Sequence, residues 1–217
     1  MLLGLVKDAF DKSDVRRNAS SQGEEWNYSI CDSRIEPGNL LLVGFNGGVD
    51  KSPMRPQKSE PTDYFLDVYR KRPKDLGNFI RVANYLIRST SLSEQDRLTA
   101  GQINYCFFRS PQASEISDKD VLLCKPVFER LLEIAQPKRV LCFTERLKKV
   151  ILREHPVTEL TEQRIPYNIL GTSRTFTACR GVLKTAAGPT PVCFLPHPNY
   201  PITGDARDEA WAFALID

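Results

Sequence analysis

LLLVGFNGG, residues 40–48, is a short apolar run closed by glycines around a single asparagine. A run this brief, apolar at consecutive positions and bounded by Gly, reads as a strand buried on both faces. Two similar runs follow, INYCFF (103–108) and RVLCF (139–143), with helical patterns between them. Residues 64–87 carry Tyr64, Val68, Leu76, Phe79, Ile80, Ala83 and Leu86 at near-helical spacing, and Pro73 divides that segment in two. Ser117-Asp118-Lys119-Asp120 resembles a capping box. The helix it opens puts Val121, Cys124, Phe128, Leu131 and Ala135 on one face and ends at Pro137. A further helix runs from Thr144 to Arg153. This alternation predicts an α/β domain with a mainly parallel sheet covered on both faces.

The flanks are plainer. Residues 3–10 read as a helix, 12–38 as polar and turn-rich, and 46–63 as a long loop rich in Gly, Pro, Ser and charge. Residues 154–173 also read as a loop. RTFTAC (174–179) and TPVCFL (190–195) read as strands parted by a turn near Gly188, and 205–216 as a closing helix. A length of 217 residues suits one domain, with residues 1–37 as an N-terminal helical and loop extension.

Composition narrows the class. Hydrophobic residues make up 41% and charged residues 26%, ordinary for a globular chain. The net charge of +3 neither requires nor forbids a nucleic-acid partner. No apolar run approaches the roughly 20 residues that span a bilayer, so no membrane is expected. The opening MLLGLVKDAFDKSD lacks a basic region before its apolar residues and reads as an amphipathic helix, not a signal peptide. The six cysteines (Cys31, Cys106, Cys124, Cys142, Cys179, Cys193) include no CxxC pair. Several lie in apolar runs, which favours a reducing, cytoplasmic setting.

Ligands of such sheets bind beyond the carboxyl ends of the strands. Three strand ends are informative: GFNGGVD, NYCFFRSP and PHPNYPITG. In the first, Asn46 offers an acceptor and two donors between glycines; taken alone, a tight turn explains it as well. The GxGxxG spacing of a dinucleotide fold is absent. In the second, Asn104 sits in an apolar strand, where an amide needs partners, and Arg109 stands where it can meet a phosphate or carboxylate. In the third, His197 follows a strand between Pro196 and Pro198, which hold the backbone firmly. His155, before Pro156 in a polar stretch, reads as a surface turn. The basic run Tyr69-Arg70-Lys71-Arg72-Pro73-Lys74 could meet phosphates but reads better as a solvated face.

Together the three places resemble the uracil-DNA glycosylase superfamily. GFNGG is similar to the Asn form of that family's first motif, as in its mismatch-specific branch. LPHPNYP is similar to the last motif. Asn104, Arg109, Pro111, the helix through Cys124-Lys125-Pro126 and Pro137-Lys138-Arg139-Val140 look most like the family-4 branch. The resemblance spans roughly residues 38–213. It implies a three-layer α/β/α fold with a central four-stranded parallel sheet, and hydrolysis of the N-glycosidic bond of uracil or a related damaged base flipped out of DNA. By position, Asn46 would orient the attacking water and His197 would stabilise the leaving base. Asn104 would read the base edge, with Gly44 and Phe45 beside it and Tyr64 or Phe65 stacking on it. Arg109 and the stretch Pro198, Asn199, Tyr200, Ile202 and Thr203 would meet DNA, with Tyr200 or Ile202 as a wedge. A monomer is expected.

Three departures stand out. Gly47 replaces a proline common in relatives, and Asn199-Tyr200 replaces small residues. The family-4 branch holds a four-iron cluster on four cysteines. Here Cys124 matches one ligand position, Phe108 stands at another and no N-terminal CxxC exists, so no iron–sulfur cluster or other cofactor is expected. Two further readings stay open: a superfamily member that binds nucleic acid or a nucleobase without cleaving it, and an enzyme acting on free nucleosides or other small molecules.

Overall fold

The computed structural model describes residues 2–23, 26–48, 59 and 61–216. The parts of the expected long loop at 49–58 and at 60 lie outside the described residues. Among them, six strands form one mixed sheet: β1 (Leu40–Asn46), β2 (Gly101–Cys106), β3 (Arg139–Phe143), β4 (Val157–Ile169), β5 (Thr172–Thr185) and β6 (Gly188–Leu195), in spatial order β2-β1-β3-β6-β5-β4. The pairs β1–β2, β1–β3 and β3–β6 are parallel, with Gly44 opposite Asn104 and Val43 opposite Cys142. The pairs β5–β6 and β4–β5 are antiparallel.

The helices are α1 (Leu2–Asp11), α2 (Asp14–Ser21), α3 (Phe65–Lys71), α4 (Ile80–Arg88), α5 (Glu94–Leu98), α6 (Asp118–Ala135), α7 (Glu145–Glu154) and α8 (Gly204–Leu215). Side chains of β1 alternate between two apolar clusters, as a strand's period of two requires. Leu41 and Val43 join residues of α1, α2, α6 and α7, whereas Leu40 and Leu42 join residues of α3, α4 and α8. Burial on both sides is why LLLVGF is apolar throughout.

Ser117 caps α6 in a reciprocal box with Asp120, and the five residues expected on its inner face are all buried. Pro73 does end α3. A 3-10 segment, Pro73–Phe79, separates it from α4, and Gly77 takes a φ of 49° there. The left-handed region suits glycine, which has no Cβ to clash. That turn carries Phe79 back over the sheet.

Three expectations fail. The stretch 12–38 is not all turns, since α2 occupies Asp14–Ser21 behind the Ser13 cap. Residues 154–173 are not a loop: β4 occupies most of them as the outer strand of a hairpin. Its turn, Leu170-Gly171, has φ of 49° and 77°. Two positive φ angles in succession match the twist of paired strands. Pro166 is tolerated because β4 is an edge strand. His155 is not at a surface turn either. It is 6% exposed, and its Nε2 lies 3.1 Å from the Tyr105 hydroxyl in the core. Burial, with Lys125 nearby, pushes its pKa down to about 4.

The N-terminal extension packs against β2 and α6. Phe10 packs on Phe108 and Tyr28, and the Asp14 amide donates to Asp120 at 2.7 Å. Isolated bridges Tyr28–Phe108 and Cys31–Ile103 cover the open edge of β2, which would otherwise leave its backbone groups unpaired. Among the described residues, no helix is long and apolar enough to cross a membrane.

Candidate functional site

The parallel strands β1, β2, β3 and β6 all end on the same edge of the sheet. A cavity of about 190 Å³ opens there, lined by Gly44, Phe45, Asn46, Phe79, Asn104, Ala113, Phe143, Thr144, Arg146 and His197. That is below the roughly 300–1,000 Å³ of drug-sized pockets and suits one small ring system. Asn46, Asn104 and His197, far apart in the chain, thus share one wall-to-wall space.

Each of the three has a fixed orientation. The Asn46 Nδ2 donates to the Ser110 Oγ at 3.0 Å and to the Gly47 carbonyl at 3.2 Å. Ser110 in turn donates to the Gln112 carbonyl at 2.8 Å, so its hydroxyl can only accept from Asn46. This leaves the Asn46 Oδ1 as the free, acceptor end of the amide.

Asn104 donates through Nδ2 to the Asp32 carboxylate at 3.2 Å. Its Oδ1 lies over Gly44, where any Cβ would overlap it. A glycine is required at this point because the amide approaches the backbone so closely. Asp32 also accepts from Arg109 at 3.2 Å and from Gln102 at 3.4 Å. Burial raises the Asp32 pKa, opposed by the Arg109 charge and the Asn104 hydrogen bond.

His197 accepts at Nδ1 from the Asn199 backbone amide at 3.1 Å. A nitrogen that accepts carries no proton, so in the neutral ring the proton sits on Nε2. Burial lowers the His197 pKa, and the charges of Arg207 and Arg81 lower it further. The ring is therefore held neutral, with Nε2 as a donor. The loop behind it is tied down. Arg207, itself buried, donates to the carbonyls of His197 (3.2 Å) and Tyr200 (2.7 Å), and Arg81 donates to that of Pro198 (3.2 Å).

The rest of the lining is aromatic and cationic. The Arg146 guanidinium lies 4.4 Å from the Phe45 ring centre and donates to the carbonyls of Ala113 and Ile116. Phe79 meets Phe143 edge-on at 5.4 Å. Thr144 joins β3 to α7 with φ 129° and ψ 145°. Glycine alone adopts such angles readily, and holding a threonine there costs about 1–3 kcal/mol. Its Oγ1 accepts from the Leu147 amide at 3.0 Å and so caps α7.

Several nominated residues lie elsewhere. Tyr64 and Phe65 do not line the cavity. Tyr64 stands under the Arg34 guanidinium at 5.2 Å and hydrogen-bonds Glu36, and Phe65 is fully buried behind Phe79 at 6.4 Å. Phe79 lines the cavity instead, because the turn at Gly77 brings it there. Arg109 is engaged by Asp32, and its stem lies across Gly47. A Cβ at Gly47 would stand 3.1 Å from the Arg109 Cγ, which leaves little room for a proline ring. Pro198 is buried, while Asn199 and Tyr200 are exposed, Tyr200 by 41%. Asn199 donates through Nδ2 to Asn78. Ile202 is half-buried against the α8 side of the core, and Thr203 precedes the first turn of α8. The basic run at 70–72 is ion-paired with Asp63, Asp67 and Asp75 on an exposed face.

The sequence reading missed Asp32, Phe79, Ser110, Ala113, Phe143, Thr144 and Arg146. Thr144 and Arg146 directly follow the strand RVLCF, so the strand-end rule that singled out Asn46 and His197 applies to them equally. Asp32 stands in a polar stretch with no motif around it.

The described cysteines are all free and buried. Cys124 pairs with Cys106 at 3.6 Å, and Phe108 packs against Phe10. Among the described residues, no three His, Cys, Asp or Glu side chains are grouped to hold a metal ion. Neither a protein-family model nor a curated protein matches the chain.

Proposed function

We propose that this chain is a DNA glycosylase that hydrolyses the N-glycosidic bond of uracil or a related damaged base after flipping it out of the stack. The three-layer α/β/α architecture with β2-β1-β3-β6 as its parallel centre belongs to the same reading. One observation carries it. Asn46, Asn104 and His197 converge on a cavity sized for a single base at the carboxyl ends of the parallel strands.

In this reading the base enters between the Phe45 and Phe79 sides of the cavity, and its edge meets the Asn104 amide. The Asn46 Oδ1, left free by the Ser110 bond, accepts a hydrogen bond from the water that attacks the sugar C1′. The water oxygen bonds C1′ as the C1′–N bond breaks with its electron pair passing to the base, and the proton shed by the bound water passes to solvent. The neutral His197 donates from Nε2 to the base oxygen where that charge collects. A preorganised donor of this kind is worth about 3 kcal/mol, roughly a hundredfold in rate. Arg81 and Arg207 add positive potential on the same side. In this reading the exposed Asn199 and Tyr200, which continue directly from His197, would enter the groove that the base leaves.

A second reading, a module that binds without cleaving, is favoured by one feature. Asn46 is an amide and takes up no proton, so it orients water without activating it as a carboxylate would. The experiment that separates the two uses single-stranded and duplex DNA carrying uracil, a thymine mismatch, hypoxanthine or xanthine, followed by cleavage at abasic sites. Release of at least one base, abolished by Asn46→Ala and His197→Ala, supports the enzyme. Binding with no release from any substrate refutes it.

A further inference from the structure

We propose that Asp32 is a positioning residue that locks the Asn104 amide with its carbonyl toward the ligand, so that the site takes bases bearing a ring N–H beside a carbonyl and refuses their amino counterparts. This rests on the reading of the cavity as a base pocket.

An asparagine amide presents an acceptor at one end and donors at the other, and a half-turn about its last bond exchanges them. In a base pocket that exchange decides which edge is read. Uracil offers an N–H beside a carbonyl oxygen, and cytosine offers a bare ring nitrogen beside an amino group. An unrestrained asparagine serves either. Asn104 is restrained. Its Nδ2 donates to Asp32 Oδ2, and its Oδ1 lies over Gly44 on the cavity floor. Turning the amide over would bring its oxygen against a carboxylate, two acceptors facing each other. It would also end a hydrogen bond to a charged group, among the stronger ones in proteins.

Asp32 is itself held. Arg109 binds Oδ1, Gln102 shares Oδ2, and the side chain is 21% exposed. The Cys31–Ile103 bridge and the bond from the Gln102 backbone amide to Ser33 Oγ (2.7 Å) fix the strand segment that carries it. The N-terminal extension thus supplies the group that sets the polarity of the reading amide.

The test compares wild type with Asp32→Asn on single-stranded oligonucleotides containing one uracil or one cytosine as the candidate base. An asparagine at position 32 can donate to the Asn104 oxygen, so the turned-over amide becomes acceptable. The uracil-to-cytosine ratio of excision rates should fall by about tenfold or more, the worth of one charge-assisted hydrogen bond. If both rates drop alike and the ratio holds, Asp32 is only structural and the inference is overturned. Should wild type release no uracil, the glycosylase reading fails, and the positioning claim is judged by nuclear magnetic resonance alone. In wild-type protein the two Asn104 Nδ2 proton signals should move as the Asp32 carboxyl titrates, with Arg109 and Asp75 the charges around it. Signals that stay fixed through that titration overturn it as well. The same measurement decides the matter if Asp32→Asn does not fold.

Discussion

Replacing Gly44 with alanine adds one methyl at the floor of the cavity, and the structure says what that methyl meets. Built on the existing backbone, it overlaps Asn104 Oδ1 and stands 3.3 Å from two carbons of the Phe79 ring. Phe79 can yield by a few tenths of an ångström. Asn104 cannot, because Asp32 holds its other end at 3.2 Å and the backbones of Gly44 and Asn104 are paired in register. Either the Asn104–Asp32 bond breaks or β1 and β2 part locally. Both routes lie in the range of about 1–3 kcal/mol for overpacking or for losing a hydrogen bond to a charge. For a chain of this size a loss of about 2 kcal/mol lowers Tm by about 4–8 °C. Base excision should fall by about a hundredfold or more, since the amide that reads the base is displaced. Calorimetry and the excision assay on Gly44→Ala give both numbers. Gly48→Ala is the control, because a Cβ at Gly48 meets nothing within 4 Å. A Gly44→Ala protein as stable and active as the Gly48→Ala protein would show that Asn104 Oδ1 does not lie over Gly44.

Other outcomes follow from single contacts. Ser110→Ala frees the Asn46 amide to rotate, so turnover should fall by about tenfold with DNA affinity kept, as read by single-turnover kinetics and a binding titration. Arg207→Met removes a charge that depresses the His197 pKa, so the ring should titrate at higher pH than in wild type; an unmoved titration by ring-proton resonance would show that Arg207 does not face it. His155 makes the fold acid-sensitive. Its native pKa, about 4, lies below the ordinary 6.5, so below about pH 6.5 the unfolded chain takes up a proton that the native one refuses. Stability is full above that pH and is lost as pH falls toward 4. At about 1.4 kcal/mol per pH unit the loss comes to about 3 kcal/mol. Urea unfolding at pH 7 and pH 4.5 measures it, and His155→Gln should remove that part of the slope.

Much of the parallel half of the fold is legible in the sequence because each strand there is buried on both faces. LLLVGF and RVLCF are apolar at nearly every position. Strand β4 is not legible by the same rule. It lies at the sheet edge, half in water, and its polar run with Pro166 looks like a loop; only Ile165 and Tyr167, inward at a period of two, betray it. The site divides in the same way. Asn46 and His197 stand at strand ends and can be found by position. Phe79 cannot, since its place depends on a turn at Gly77 that no spacing rule gives. Asp32 depends on a long-range contact between the extension and the edge of β2. His155 is not legible either, because a polar neighbourhood in sequence, HPVTEL, hides a side chain that points into the core.

The most direct measurement is a crystal structure with an oligonucleotide carrying 2′-fluoro-2′-deoxyuridine, whose glycosidic bond resists hydrolysis. The uracil ring should lie in the cavity, with its N–H within hydrogen-bond distance of Asn104 Oδ1 and its oxygen within that distance of His197 Nε2. Uracil stacked inside the nucleic acid, or bound away from Asn46, Asn104 and His197, would rule out a base pocket at the ends of these strands.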